Sequence, residues 1–119
     1  MKNITLKGQT AFISGASSGI GKACAEQFAE LGVNLIITAR RLDRLKELAE
    51  TLAAKHGIRV SPYQLDVRDH AAVEAVFKQI EQTGLDIDIV VNNAGLALST
   101  DINRDGDQAK SVFDVTNKK

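Results

Sequence analysis

The sequence is most constrained near its start, where a short apolar run ends in a glycine-rich turn and the spacing of apolar residues then changes. Thr10 to Ser14 has the composition of a buried strand, Gly15 to Gly19 (GASSG) is a turn, and helical spacing follows. Glycines permit backbone angles closed to other residues and let backbone N–H groups approach a ligand. The N-terminus of the helix adds unpaired donors and a partial positive charge. This pattern predicts a strand, a turn and a helix that can hold a pyrophosphate.

The alternation of strand and helix continues along the chain. Further strands are predicted at Val33 to Thr38, which reads as buried on both faces, at about Arg59 to Leu65, and at Ile87 to Asn92. Three helices lie between them and are closed by Gly32, Gly57 and Gly84. Their predicted buried faces are Ile20, Cys24, Phe28 and Leu31 in the first, Leu42, Leu45, Leu48 or Ala49, and Leu52 in the second, and Val73, Val76, Phe77 and Ile80 in the third.

This β-α-β-α-β-α-β order predicts an α/β fold, a doubly wound parallel sheet of the Rossmann type with strand order 3-2-1-4. Pro62 cannot donate to a β-ladder, so the third strand should lie at the sheet edge. The flavodoxin-like order would begin in the same way and stays open. We expect a core over about residues 8–98, followed at 99–119 by a polar loop and the start of a further helix, suggested by Val112, Phe113 and Val115.

Composition excludes several classes of protein. The 119 residues carry 15 basic and 15 acidic side chains, interspersed, so no basic surface for nucleic acid is expected. The single cysteine, Cys24, cannot form an intramolecular disulfide and is expected to be buried. Apolar runs such as Leu35 to Ile37 are far too short to cross a bilayer, and the start of the sequence has no apolar stretch typical of a signal peptide. We expect a cytoplasmic protein without a metal site.

Three other interpretations of the glycine turn deserve comparison. A Walker A loop has four residues between its first Gly and its Gly-Lys-Ser/Thr, whereas five residues separate Gly15 from Gly21. In addition, Ala23 stands where the Walker A loop has the Ser or Thr that ligates Mg²⁺. The segment GASSG also has the G-x-S-x-G pattern of a hydrolase nucleophile elbow, but the only histidines, His56 and His70, fall at predicted helix ends. A turn used only for tight packing is the remaining structural alternative.

The end of the second predicted strand indicates which dinucleotide would bind. An acidic side chain at this place would hold the ribose 2′-hydroxyl of NAD. Arg40 and Arg41 stand there instead, and guanidinium groups suit the 2′-phosphate of NADP by charge and by hydrogen-bond geometry. The alternative is that both arginines are simply solvated at the start of a helix, where the helix dipole slightly disfavours cations. We therefore expect NADP rather than NAD.

Three motifs resemble those of the short-chain dehydrogenases/reductases. The turn from Ser14 to Gly21 (SGASSGIG) is similar to the family's T-G-x-x-x-G-I-G, Leu65-Asp66-Val67 to its adenine-contacting segment, and Asn92 to Gly95 (NNAG) to its N-N-A-G. The run Asn92 to Asp101 is similar in particular to the NADP-dependent branch that acts on serine and other 3-hydroxy acids. The resemblance covers nearly the whole chain but only about the first half of the family's single domain.

The resemblance implies a cofactor site and a reaction. The turn would hold the pyrophosphate, Arg40 and Arg41 the 2′-phosphate, and Asp66 with the Val67 backbone the adenine, while Asn93, Ala94 and Gly95 would line the ribose. The implied cofactor-binding residues are Gly15, Ser17, Ser18, Gly19, Ile20, Gly21, Arg40, Arg41, Asp66, Val67, Asn93, Ala94 and Gly95. The implied reaction is hydride transfer between NADP(H) and a small alcohol or carbonyl substrate.

The family's catalytic Ser and Tyr-x-x-x-Lys are missing from these 119 residues. The only tyrosine, Tyr63, is followed four residues later by Val67 and lies in the predicted edge strand. The family's active-site asparagine, in a pattern like F-D-x-N, would fall at Thr116 or at Asn117. We therefore expect an inactive chain with the cofactor-binding half of an oxidoreductase. The alternative is a non-catalytic nucleotide-binding or assembly module, and downstream coding sequence would separate the two.

The fourth predicted strand suggests self-association. With no strand expected beyond it, the apolar edge from Ile87 to Val91 would be unpaired, and such edges recruit other chains. We expect poor solubility or homo-oligomers.

Overall fold

Strands and helices alternate through the part of the chain that the computed structural model describes, residues 6–17, 19–93 and 111–114, the last for the backbone alone. The elements in order are β1 (Thr10–Ile13), α1 (Gly19–Glu30), β2 (Asn34–Ala39), α2 (Leu42–His56), β3 (Val60–Gln64), α3 (His70–Gln82), β4 (Ile89–Asn92) and β5 (Ser111–Asp114). The predicted strands and helices through residue 92 are all present, with ends shifted by one or two residues. Within the described ranges, no helix has the length and apolar character needed to cross a membrane.

The sheet has the order β3-β2-β1-β4-β5, and every pairing is parallel. The predicted order 3-2-1-4 is confirmed. The flavodoxin-like order is excluded because β3 pairs with β2, where Pro62 lies opposite Ile37. Pro62 occupies the edge strand, as its missing N–H requires.

The core lies on both faces of the sheet. Leu35 and Ile37 in β2 pack on the face covered by α1 and α2, whereas Ile36 packs on the opposite face with the apolar side of α3. On that second face the rings of Phe12 and Phe77 lie 5.0 Å apart between centroids. The prediction that the second strand is buried on both faces is confirmed.

The buried face of α1 differs from the one predicted. Its buried residues are Gly21, Ala25 and Ala29, while Ile20 and Leu31 are each 54% exposed. Cys24 and Phe28 are half-buried at the margin of the core, so the prediction of a buried Cys24 was wrong. Small residues allow the helix to approach the sheet closely. The face of α1 that carries them is therefore the buried one, although the spacing of the larger apolar side chains predicted a different face.

The segment near the end of the chain also differs from the prediction. Residues 111–114, expected to begin a helix, form β5, which pairs Val90 with Val112 and Val91 with Phe113. Pairing of this segment with β4 gives hydrogen-bond partners to backbone N–H and C=O groups that a helix of only a few residues would leave unpaired. The expectation of an unpaired edge on β4 was therefore wrong, and the argument for self-association built on it no longer holds. The rest of the segment 99–119, predicted as a polar loop and the start of a helix, lies outside the described residues, and so do Thr116 and Asn117.

Candidate functional site

The residues singled out in the sequence gather at one edge of the sheet. In a parallel sheet the carboxyl ends of all strands meet at the same edge, where open α/β sheets bind ligands. β1 leads into the glycine turn, β2 into Arg40 and Arg41, β3 into Asp66, and β4 into Asn93. The predicted site residues Ser18, Ala94 and Gly95 lie outside the described residues.

The glycine turn is packed against the start of α1. A Cβ added at Gly21 would overlap the carbonyl oxygen of Gly15 and would lie 2.8 Å from Nδ2 of Asn93. That same Nδ2 donates a hydrogen bond of 3.1 Å to the Gly15 carbonyl. Gly15 itself has φ +64, a left-handed conformation that favours glycine. Geometry therefore requires glycine at position 15, in the turn, and at position 21, in the first turn of α1.

Hydrogen bonds join the turn to the neighbouring strands. The Ser14 hydroxyl is buried and accepts a 2.9 Å hydrogen bond from the Asn93 backbone N–H, and Ser14 Oγ lies 3.4 Å from Oδ1 of Asn92. On the other side, the Ala16 N–H donates to the Thr38 carbonyl at 2.9 Å. The turn is therefore held from both β2 and β4. Ser14 was noted in the sequence only as a motif position, and its side-chain role is visible only once β1 and β4 are adjacent.

A cleft of about 470 Å³ opens beside this turn. Its lining residues are Gly15, Ser17, Ala39, Arg40, Arg41, Arg44, Leu65, Asp66, Val67 and Arg68. Six of the predicted site residues are thus brought together, namely Gly15, Ser17, Arg40, Arg41, Asp66 and Val67. Gly21 and Asn93 do not line the cleft but contact Gly15, which does. Gly19 lines a separate groove between α1 and α2, and Ile20 does not line the cleft.

Four arginines and a single carboxylate surround the cleft. Arg44 and Arg68 were not among the predicted site residues, although their positions three residues after Arg41 and two after Asp66 could have indicated them. Arg41 stands at the N-cap of α2 without a side-chain capping bond. Its side chain is 65% exposed, and its Nη2 lies 3.9 Å from Oδ2 of Asp43. A cationic rim at the N-terminus of a helix is an environment that stabilises an anion.

Asp66 is held by one neighbour. The backbone N–H and Nε of Arg68 each donate to Oδ1 of Asp66 at 3.0 Å, and a third donor, Nη2, lies 2.9 Å from Oδ2. The hydrogen bonds from the Arg68 side chain, and next that from its backbone, hold the pKa of Asp66 at about 2, below its ordinary 3.8. The same contact raises the pKa of Arg68. Asp66 is therefore an ionised acceptor across the whole physiological range of pH.

The alternative chemistries find no support in the described part of the chain. His56 ends α2, about 18 Å along the helix axis from Arg44 at the cleft, and within the described ranges no hydrogen bond joins it to Ser17. Tyr63 lies in the edge strand β3 and packs against the core face covered by α3. Among the described residues, no group of three His, Cys, Asp or Glu is placed to hold a metal ion.

Two curated proteins similar in sequence to this chain are named as a dehydrogenase and a reductase. A 3-hydroxy acid dehydrogenase of Schizosaccharomyces pombe, named as NADP-dependent, is 44% identical over 97 residues, which are 81% of this chain and 38% of that protein. Sulfoacetaldehyde reductase 2 of Chromohalobacter salexigens is 45% identical over 97 residues, with 82% and 38% coverage. The chain thus spans little more than a third of the length of these curated relatives.

Solved structures agree with the fold. L-sorbose reductase of Gluconobacter frateurii, complexed with NADPH and L-sorbose, has a TM-score of 0.73 and 43% identity, and the match covers 76% of this chain and 35% of that one. An alcohol dehydrogenase of Thermococcus sibiricus, complexed with 5-hydroxy-NADP, has a TM-score of 0.70 and 41% identity, with 74% and 37% coverage. The family model for short chain dehydrogenases matches residues 9–118. The chain belongs to the short-chain dehydrogenase family.

Proposed function

We propose that this protein binds NADP(H) and belongs to an oxidoreductase that transfers hydride between this cofactor and a small alcohol or carbonyl compound. The observation that carries the proposal is the cleft in which four arginines surround one carboxylate at the carboxyl ends of β2 and β3. The end of β2 lacks the acidic side chain that would hold an NAD ribose. The name of the Schizosaccharomyces pombe relative includes NADP, and the two solved structures described above contain NADPH and 5-hydroxy-NADP.

The two halves of the site would divide the cofactor between them. Arg40 and Arg41 would contact the 2′-phosphate, for which their charge and forked donors are suited. The turn and the N-terminus of α1 would hold the pyrophosphate, since the first turn of α1 offers unpaired N–H groups and no acidic side chain. The residues of this half are Gly15, Ser17, Ser18, Gly19, Ile20 and Gly21.

The remaining residues would hold the adenosine and ribose. Asp66 would accept a hydrogen bond from the adenine amino group, with the Val67 backbone beside it. Asn93 would line the ribose together with Ala94 and Gly95, and its hydrogen bonds to Gly15 and Ser14 fix it between the turn and β4. Both sides of the cleft are therefore anchored to strand ends.

The bound cofactor would supply or accept the hydride. The 119 residues contain no Tyr-x-x-x-Lys, so we expect this chain to bind the cofactor without reducing a carbonyl. A 3-hydroxy acid is the substrate that the first relative's name favours. Reduction of a carbonyl compound by the 119-residue chain with NADPH would contradict the catalytic part of the proposal. Assembly into a homo-oligomer stays a prediction, which sedimentation velocity can test.

Titration with NADPH and NADH tests cofactor choice. We expect the protein to bind NADPH more tightly, and Arg40→Ala and Arg41→Ala each to weaken NADPH binding by about tenfold or more while NADH binding changes little. Arg59→Ala is the matched control, because Arg59 is an exposed arginine at the opposite, amino end of the sheet. Tighter binding of NADH by the unmodified protein would refute the proposal.

A further inference from the structure

The Asp66 carboxylate has one acceptor position left open. Each carboxylate oxygen offers about two lone-pair positions. Oδ1 receives the Arg68 backbone N–H and Nε, so both of its positions are filled, whereas Oδ2 receives only Nη2 of Arg68. The two-pronged contact also prevents the carboxylate from rotating. The side chain is 40% exposed and lines the cleft, so a ligand there meets a fixed carboxylate with a single vacant acceptor.

Stability does not explain this arrangement. The Arg68 side chain is 75% exposed, and ion pairs between exposed side chains contribute little to folding. The guanidinium nevertheless makes two hydrogen bonds to Asp66, which lines the cleft. Arg68 therefore fixes the orientation of the Asp66 carboxylate and favours its ionised form.

We infer that Arg68 is a positioning residue that makes Asp66 select a base with an exocyclic amino group, such as adenine, over a purine with a carbonyl at the same place. An ionised carboxylate can only accept hydrogen bonds, so it pairs with an amino group and repels a carbonyl oxygen. Without Arg68 the carboxylate would still be an acceptor at neutral pH, but it would rotate freely, hold the amino group less firmly and lose most of the distinction. This inference rests on the proposed function, because it assigns the base-recognition part of the same site.

Two dinucleotides that differ only at the purine 6-position test the inference. NADP⁺ carries an amino group there, and nicotinamide hypoxanthine dinucleotide phosphate carries a carbonyl. We expect the unmodified protein to prefer NADP⁺ by about tenfold or more, and Arg68→Ala to reduce that ratio to about twofold. Arg68→Lys should restore part of it, since an ammonium supplies charge but not the forked geometry. Arg59→Ala should leave the ratio unchanged.

The ionisation of Asp66 gives a second measurement that a purely structural role would not move. Arg68 faces the carboxylate directly, and Arg40 lowers the pKa of Asp66 through its charge, with Arg41 and Arg44 also lining the cleft. In a ¹³C NMR titration of the side-chain carboxyl from pH 6 to 3, we expect no midpoint in the unmodified protein. In Arg68→Ala a midpoint should appear, moved towards the ordinary 3.8.

The outcomes separate this inference from the proposed function. If the unmodified protein binds neither dinucleotide, both fall. If it binds NADP⁺ but does not discriminate between the bases, or if Arg68→Ala keeps the full ratio, the role of Arg68 is refuted while cofactor binding stands.

Discussion

Replacing Gly21 by alanine should damage both the fold and the cofactor site. Gly21 is buried in the first turn of α1, directly behind the glycine turn. The added methyl group would overlap the Gly15 carbonyl oxygen and lie 2.8 Å from Nδ2 of Asn93, whereas ordinary van der Waals contact begins at about 3.4 Å. The Asn93 amide would have to retreat by about 0.6 Å, and the backbone of the turn would have to move as well.

The expected cost follows from three terms. Overpacking a buried site typically costs about 1–3 kcal/mol. Displacing Asn93 weakens its hydrogen bond to Gly15, which contributes about 0.5–1.5 kcal/mol. Alanine gains about 1 kcal/mol over glycine in a helix, which offsets part of the loss. We expect the free energy of unfolding to fall by about 1–3 kcal/mol and NADPH affinity to fall with it.

Urea unfolding followed by circular dichroism, together with NADPH titration, measures both effects. Gly57→Ala is the matched control: Gly57 has φ +68 at the C-terminus of α2, has open space around it and does not line the cleft. Its left-handed conformation makes alanine cost about 1–2 kcal/mol there too. Both variants should lose stability, and only Gly21→Ala should lose cofactor affinity. A Gly21→Ala protein with unchanged stability and affinity would refute the close approach of α1 to the turn.

Two further substitutions test contacts away from the cleft. Asp69→Ala removes the side chain that caps α3 by accepting from the Ala72 N–H at 3.1 Å, so unfolding free energy should fall by about 1 kcal/mol, while Asp69→Asn should lose only a few tenths. A loss as large in the asparagine variant would contradict the capping role. Thr38→Val replaces a buried hydroxyl that has no partner among the described residues with a methyl group of the same shape. We expect stability to rise by about 1 kcal/mol in urea unfolding, and a fall of that size would show that the hydroxyl is satisfied.

The first four strands of the sheet could be predicted because each has a strong local signal. Pro62 placed β3 at the edge, the apolar run around Ile36 identified a strand buried on both faces, and the run around Val90 identified a fourth strand. Helix faces were harder. The spacing of Ile20 and Leu31 looks like a buried stripe, but α1 turns its small residues inward, because only they allow the contact between Gly21 and Gly15.

β5 was missed for a different reason. Four residues carry too little periodicity to distinguish strand from helix, and Ser111 to Asp114 becomes a strand by pairing with β4, a partner far away in the sequence. The residues of the cleft also fall into those that the sequence could predict and those that it could not. Arg40, Arg41 and Asp66 follow strand ends and could be placed from the sequence, whereas Arg44 and Arg68 belong to the site only through the positions of α2 and the β3–α3 connection.

The two ends of the proposed cofactor site should respond differently to substitution. The turn is held to β4 and α1 by hydrogen bonds of Asn93 to Ser14 and Gly15, which are partly buried, and by the close approach of Gly21. The arginine rim is exposed, and Arg41 has only a 3.9 Å contact with another exposed side chain. We therefore expect changes in the turn to alter folding and binding together, and changes in the rim to alter the choice between NADPH and NADH with little effect on stability. On this reasoning we expect cofactor preference to be set by side chains that the core does not constrain.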